Sequence, residues 1–138
     1  MTYPLGVWQA LLVSVYVADK VRLGEYDFVP TSRLAEDLSI PAPSVARLLG
    51  RLSRAGLIET REGAGGGVRL ASAPEQVSLL GIVEAVDPGS LFRTDSVPAV
   101  TGPTPTRRQQ ALRGALAGAE DAMRSTLEGV TLAALTDA

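Results

Sequence analysis

The chain has 138 residues, 46% of them hydrophobic and 20% charged, with a net charge of −2. That is enough apolar material for one buried core, it excludes a disordered chain, and it confines any basic, nucleic-acid-seeking surface to a local patch. There are no cysteines and no histidines, which removes disulfides, thiolate-held iron–sulfur clusters, most zinc chemistry and every Cys-His or Ser-His catalytic arrangement.

The first predicted element is a helix over Leu5–Val21. Val7, Trp8, Leu11, Leu12, Val15 and Tyr16 make it apolar on most sides, so it is expected to pack on two sides, against a core and a second subunit. The run is shorter than the roughly 20 residues a bilayer needs and has no basic start or cleavage pattern. The expectation is a cytoplasmic protein with no membrane partner. Gly24 to Pro30 reads as a loop.

Thr31 or Ser32 is expected to cap a second helix whose inner face carries Leu34, Ala35 and Leu38. Ser39 to Ala42 breaks it. Pro43 suits the first turn of a third helix, where a missing N–H costs nothing, and Gly56 suits its left-handed end. At 100° per residue, Val45, Leu48, Leu49 and Leu52 share one face of this helix. Ser44, Arg47, Arg51 and Arg54 share the opposite face, beside Pro43. Such a face is either merely solvated or a reader of DNA. Its place, after a short helix and a tight turn and before a hairpin, favours DNA. Residues 31–70 hold six arginines against Glu36, Asp37, Glu59 and Glu62, a net of +2.

The hairpin is predicted over Leu57–Arg61 and Val68–Leu70, joined through Gly63-Ala64-Gly65-Gly66-Gly67. Such a loop needs positive φ angles. A phosphate-binding loop would need a helix immediately after the glycines, and a strand follows here. A loop bare of side chains can instead approach a minor groove, with Arg61 and Arg69 flanking Gly65 and Gly66. In this reading Ser44 and Arg47 read base edges. Arg51 and Arg54 hold phosphates, and Thr31, Ser32 and Arg33 hold phosphate across the groove.

A fourth helix, Leu79–Val86, is expected to start on Ser78 and stop at Asp87-Pro88-Gly89. Residues 88–105 contain four prolines and form a connector. Thr106 to Gln109 matches a capping box. It would open a long helix to about Glu128, with a stripe of Leu112, Leu116, Ala119, Met123 and Leu127. The stripe packs either on its own subunit or on the same helix of a second one, and the second is the preferred reading. Thr131–Leu135 forms a final turn. The division is thus 1–87 for the head, 88–105 for the connector and 106–138 for a dimerisation helix and tail. The fold class is mostly α with a small β-hairpin wing, a winged helix-turn-helix.

The segments Ser32–Leu38, Val45–Leu57 (VARLLGRLSRAGL), Gly63–Leu70, Val77–Val86 and Val130–Leu135, in this order, resemble the Rrf-type family of bacterial winged-helix regulators that includes IscR, NsrR and CymR. The resemblance implies a homodimer on a palindromic operator, joined through the long helix. Members with iron–sulfur clusters carry cysteines in the connector. Gly89 to Thr106 has none, so the cofactor expected is none and the signal is left open, with a small molecule held between helix one, the connector and the long helix as the natural candidate. Trp8, Tyr16 and Phe92 are candidates to line its pocket. Glu62 stands where the family usually has arginine, and Val68 where tyrosine is common.

The reading is a DNA-binding transcriptional regulator, a repressor by preference and not an enzyme. The alternative is a winged-helix adaptor or small-molecule-binding protein that does not bind DNA.

Overall fold

The computed structural model describes residues 5–89, 91–92 and 103–136. It has six α-helices among these, in the order α1 (Leu5–Arg22), α2 (Thr31–Leu38), α3 (Ala42–Arg54), the antiparallel hairpin β1 (Ile58–Arg61) and β2 (Gly67–Leu70), a 3-10 turn (Pro74–Gln76), α4 (Leu79–Val86), α5 (Pro103–Glu128) and α6 (Leu132–Thr136). The mostly helical chain with one small hairpin and a long C-terminal helix is the fold class expected from the sequence.

The core forms because each element buries one face. Val7, Ala10, Val13 and Val17 of α1 meet Leu34 of α2, Val45, Leu48 and Leu52 of α3, and Ile82 of α4. All four residues of the predicted inner face of α3 are buried. Ile58 and Val68 of the hairpin complete this side. Leu132 of α6 is fully buried in the same core. The tail therefore packs into the head, against α1, although 106–138 reads as a separate unit in sequence. An isolated bridge between Ser78 and Thr131 fastens it there, with Leu79 N–H donating to the Val130 carbonyl at 2.9 Å and Leu132 N–H to the Val77 carbonyl at 2.9 Å.

Helix ends follow local chemistry, with two corrections. Neither Thr31 nor Ser32 caps α2. Both lie in its first turn, and Pro30 is the N-cap, its extended backbone (ψ 137°) leaving the carbonyl to accept from Arg33 and Leu34. Thr106 does not open α5, which starts at Pro103. Prolines are tolerated in a first turn because their missing N–H has no helical partner there, so Pro103 and Pro105 extend the helix instead of ending the connector. Ser78 caps α4 as expected, its Oγ accepting from Gly81 N–H at 3.1 Å. Gly56 follows α3 with φ 76°.

The hairpin register pairs Ile58 with Leu70, Glu59 with Arg69, Thr60 with Val68 and Arg61 with Gly67. A third stretch of backbone joins it. Val29 and Val68 exchange hydrogen bonds of 2.7 and 2.9 Å, so the loop before α2 lies along β2. Gly67 is required at this contact: a Cβ there would stand 2.1 Å from the Val29 carbonyl oxygen.

Candidate nucleic-acid interface

Helix α3 is the centre of the basic surface. It contains three arginines and no acid, and its buried side fixes which way they point. Arg47, Arg51 and Arg54 are exposed, Ser44 is half-buried and Pro43 lies exposed in the first turn. Arg51 differs from its neighbours. Its Nη1 donates to the carbonyl of Val86, the last residue of α4, at 2.8 Å. Among the described residues, Arg47 and Arg54 make no ion pair.

Beside α3 lies a cleft of about 530 Å³ between Thr31 at the start of α2, Leu49 of α3 and the wing residues Thr60, Glu62, Gly63 and Gly66. Thr31, which lines it, is exposed, and so is Ser32, the next residue of α2. Arg33 is turned along its own helix toward Glu36 at 3.5 Å and Asp37 at 3.8 Å, and the Asp37 carboxylate holds its guanidinium above the usual range. Glu62, exposed, places a negative charge in the cleft wall.

The wing arginines are occupied. Arg61 donates to the carbonyl of Gly65 at 2.9 Å and faces Asp27 at 3.7 Å. Arg69 donates to Glu59 and to Asp27, the latter at 3.0 Å. Both guanidinium groups lie over the ring of Phe28, at 4.2 and 4.3 Å. The hydrogen bond to Glu59, first, and the two carboxylate charges raise the Arg69 pKa. Sequence reasoning missed Asp27 and Phe28 because they fall in an apparent loop. The available signal was the adjacent apolar pair Phe28-Val29, the mark of a short extended segment beside a hairpin.

Among the described residues, two of the three candidate pocket residues line adjoining depressions. Trp8 lines an apolar depression with Leu11, Leu12, Val15, Leu79 and Leu135. Tyr16 lines a neighbouring one that shares Leu12, Val15 and Leu135. Phe92 lines neither. Tyr16 donates to Asp37, and burial, followed by this bond, pushes its phenol up to about 12. A separate cavity of about 290 Å³ lies between the end of α1, β2 and α6, walled by Ala18, Val21, Leu70, Pro74 and Ala133, with Arg22 and Arg69 also lining it.

Along α5, Leu112 is 61% exposed, Ala119 is exposed, and Leu116 and Met123 are half-buried. Leu127 packs on its own core. The end of α5 is held on α4 by the ion pair of Arg124 with Glu84. No helix among the described residues is long and apolar enough to cross a membrane.

Comparison with known proteins agrees with this architecture. A family model described as "Rrf2: Iron-dependent Transcriptional regulator" matches residues 9–138. A putative HTH-type transcriptional regulator of Synechocystis is 41% identical over 63 residues, 44% of this chain and 43% of that protein. The HTH-type transcriptional repressor NsrR of Streptomyces coelicolor is 31% identical over 108 residues, 78% of this chain and 71% of that protein. Among solved structures, CymR of B. subtilis, a global cysteine regulator, superposes with a TM-score of 0.71 at 19% identity, covering 99% of this chain and 97% of that one. CymR of Staphylococcus aureus superposes with a TM-score of 0.67 at 25% identity, covering 98% of each chain.

The iron in the family's description finds no fit in these residues. The sequence offers neither a cysteine nor a histidine, and no three acidic side chains among the described residues gather as a metal site. Despite that departure, the match over nearly the whole chain, the winged helix and the basic α3 agree, and the chain belongs to the Rrf2 family of transcriptional regulators.

Proposed function

We propose that this regulator acts as a homodimeric repressor on a palindromic operator, with α3 in the major groove. The observation that carries the reading is the pair Arg47 and Arg54, without an ion pair among the described residues, on a helix whose opposite face is buried. Arg47, one turn in, is placed for a guanine edge, and Ser44 before it for either base type. Arg54, two turns further, takes phosphate. Thr31 lines the cleft where the backbone of the same duplex would run, and Ser32 follows it on the exposed start of α2. Leu112, Leu116, Ala119 and Met123 form the seam with the second subunit. The signal is a small molecule rather than a cysteine-held cluster, and the 290 Å³ cavity between α1, β2 and α6 has the size for one.

The test is an electrophoretic shift assay on the promoter of the protein's own gene across a salt series. Binding is expected to weaken steeply with salt, and Arg47→Ala is expected to abolish preference for the operator over random duplex. Absence of salt-dependent binding would favour the adaptor reading, which has the neutralised wing and Glu62 on its side.

A further inference from the structure

The wing of this protein carries its own counter-ions. By the hairpin register, Glu59, Arg61, Gly67 and Arg69 share one face. Gly67, opposite Arg61, adds no side chain there, and Phe28 provides the surface on which both guanidinium groups rest. Asp27 divides its two oxygens between them, Oδ1 to Arg69 at 3.0 Å and Oδ2 to Arg61 at 3.7 Å, while Glu59 takes the Nε of Arg69. Two cations and two carboxylates leave this face neutral. Asp27 is 66% exposed at its side chain and Glu59 48%, so neither carboxylate is there to fill the core.

We propose that Asp27, assisted by Glu59, limits the affinity of the wing for DNA. The carboxylates occupy Arg61 and Arg69 as a backbone phosphate would. A duplex gains from the wing only where a phosphate is presented well enough to displace them. Poorly fitted, non-operator DNA meets a neutral wing, and its binding rests on α3 alone. Asp27 is in this sense a specificity-determining residue that never touches a base. Its position on the backbone segment bonded to β2 through Val29 and Val68 keeps it on the arginines whatever the wing tip does. The inference rests on the DNA-binding reading above.

The test uses the full chain and a labelled duplex of random sequence, titrated across a salt series with wild type, Asp27→Asn, Glu59→Gln and the double variant Asp27→Asn/Arg69→Ala. Asp27→Asn is expected to bind the random duplex about five- to tenfold more tightly near 0.1 M salt, with a salt slope steeper by about 1 for each freed cation. Glu59→Gln, on a different element, is expected to act in the same direction. Arg69→Ala in the Asp27→Asn background is expected to cancel the gain. Folded Asp27→Asn and Glu59→Gln proteins that bind like wild type, or more weakly, would overturn the proposal while leaving the DNA reading standing. A wild type that shows no salt-dependent binding to any duplex would overturn both.

Discussion

Arg51 of α3 is tied to Val86 of α4 by a hydrogen bond from guanidinium to main-chain carbonyl, 2.8 Å long. It stands between Arg47 and Arg54 in sequence, yet it fastens two helices together at the carbonyl end of α4, where a positive charge is favoured. Arg51→Ala is expected to lower stability by about 1.5–2 kcal/mol, the lower end of the scale for a hydrogen bond to a charged group, since Arg51 is exposed. Arg47→Ala is expected to leave stability unchanged. Urea unfolding of the two variants checks the split, and equal midpoints would remove the structural role given to Arg51.

The contact of Gly67 with Val29 leads to a sharper expectation. A methyl group at 67 meets backbone at 2.1 Å, and no rotamer relieves it. Gly67→Ala is expected to cost about 3 kcal/mol or more and to detach the wing from the segment before α2. At Gly65, where φ is 73° and nothing lies within 4 Å, the same substitution meets only the left-handed penalty of about 1 kcal/mol. Thermal unfolding of the pair should show this order.

Removing the cap of α4 isolates one local interaction. Ser78→Ala deletes the acceptor for Gly81 N–H and is expected to cost about 1 kcal/mol. Ser78→Asp, which restores an acceptor at a helix N-terminus, is expected to recover most of it in chemical denaturation.

The phenol of Tyr16 gives a pH signature. Its folded pKa of about 12 lies above the ordinary phenol value of 10.0, so the neutral form is favoured in the folded state. The stability this contributes is complete below pH 10.0 and is lost as pH rises through about 12. Tyr16→Phe, which deletes the bond to Asp37, is expected to lower stability by about 1 kcal/mol at neutral pH and to flatten the stability profile over that alkaline window.

The proposed dimer seam is tested by charge. Leu112→Glu and Leu116→Glu are expected to convert dimer to monomer in sedimentation velocity with helical content retained. A wild type that is monomeric at every concentration would remove the homodimer.

How far these features could be read beforehand depended on whether they were local. The inner face of α3, the Ser78 cap and the glycine turn are set by residues a few positions apart, and periodicity and turn chemistry disclosed them. The start of α2 was misplaced by one or two residues because Pro30, with its fixed φ, took the capping position from the hydroxyls after it. The partners of the arginines were hidden for another reason. Asp27 lies 42 residues from Arg69 and Val86 lies 35 from Arg51, and only the folded chain brings either pair together. A helical wheel sorted the α3 arginines by direction but could not tell which of them already had an acceptor.

Leu132, the fully buried residue of α6, makes the order of synthesis matter. The head that carries α3 and the wing is closed by a side chain encoded far downstream of both. A nascent chain that has completed the wing still lacks part of its core, so the head is expected to reach full stability only once the tail has been made. A reading frame interrupted before Leu132 would leave the core of the head open, and its product is expected to be a ready substrate for proteases.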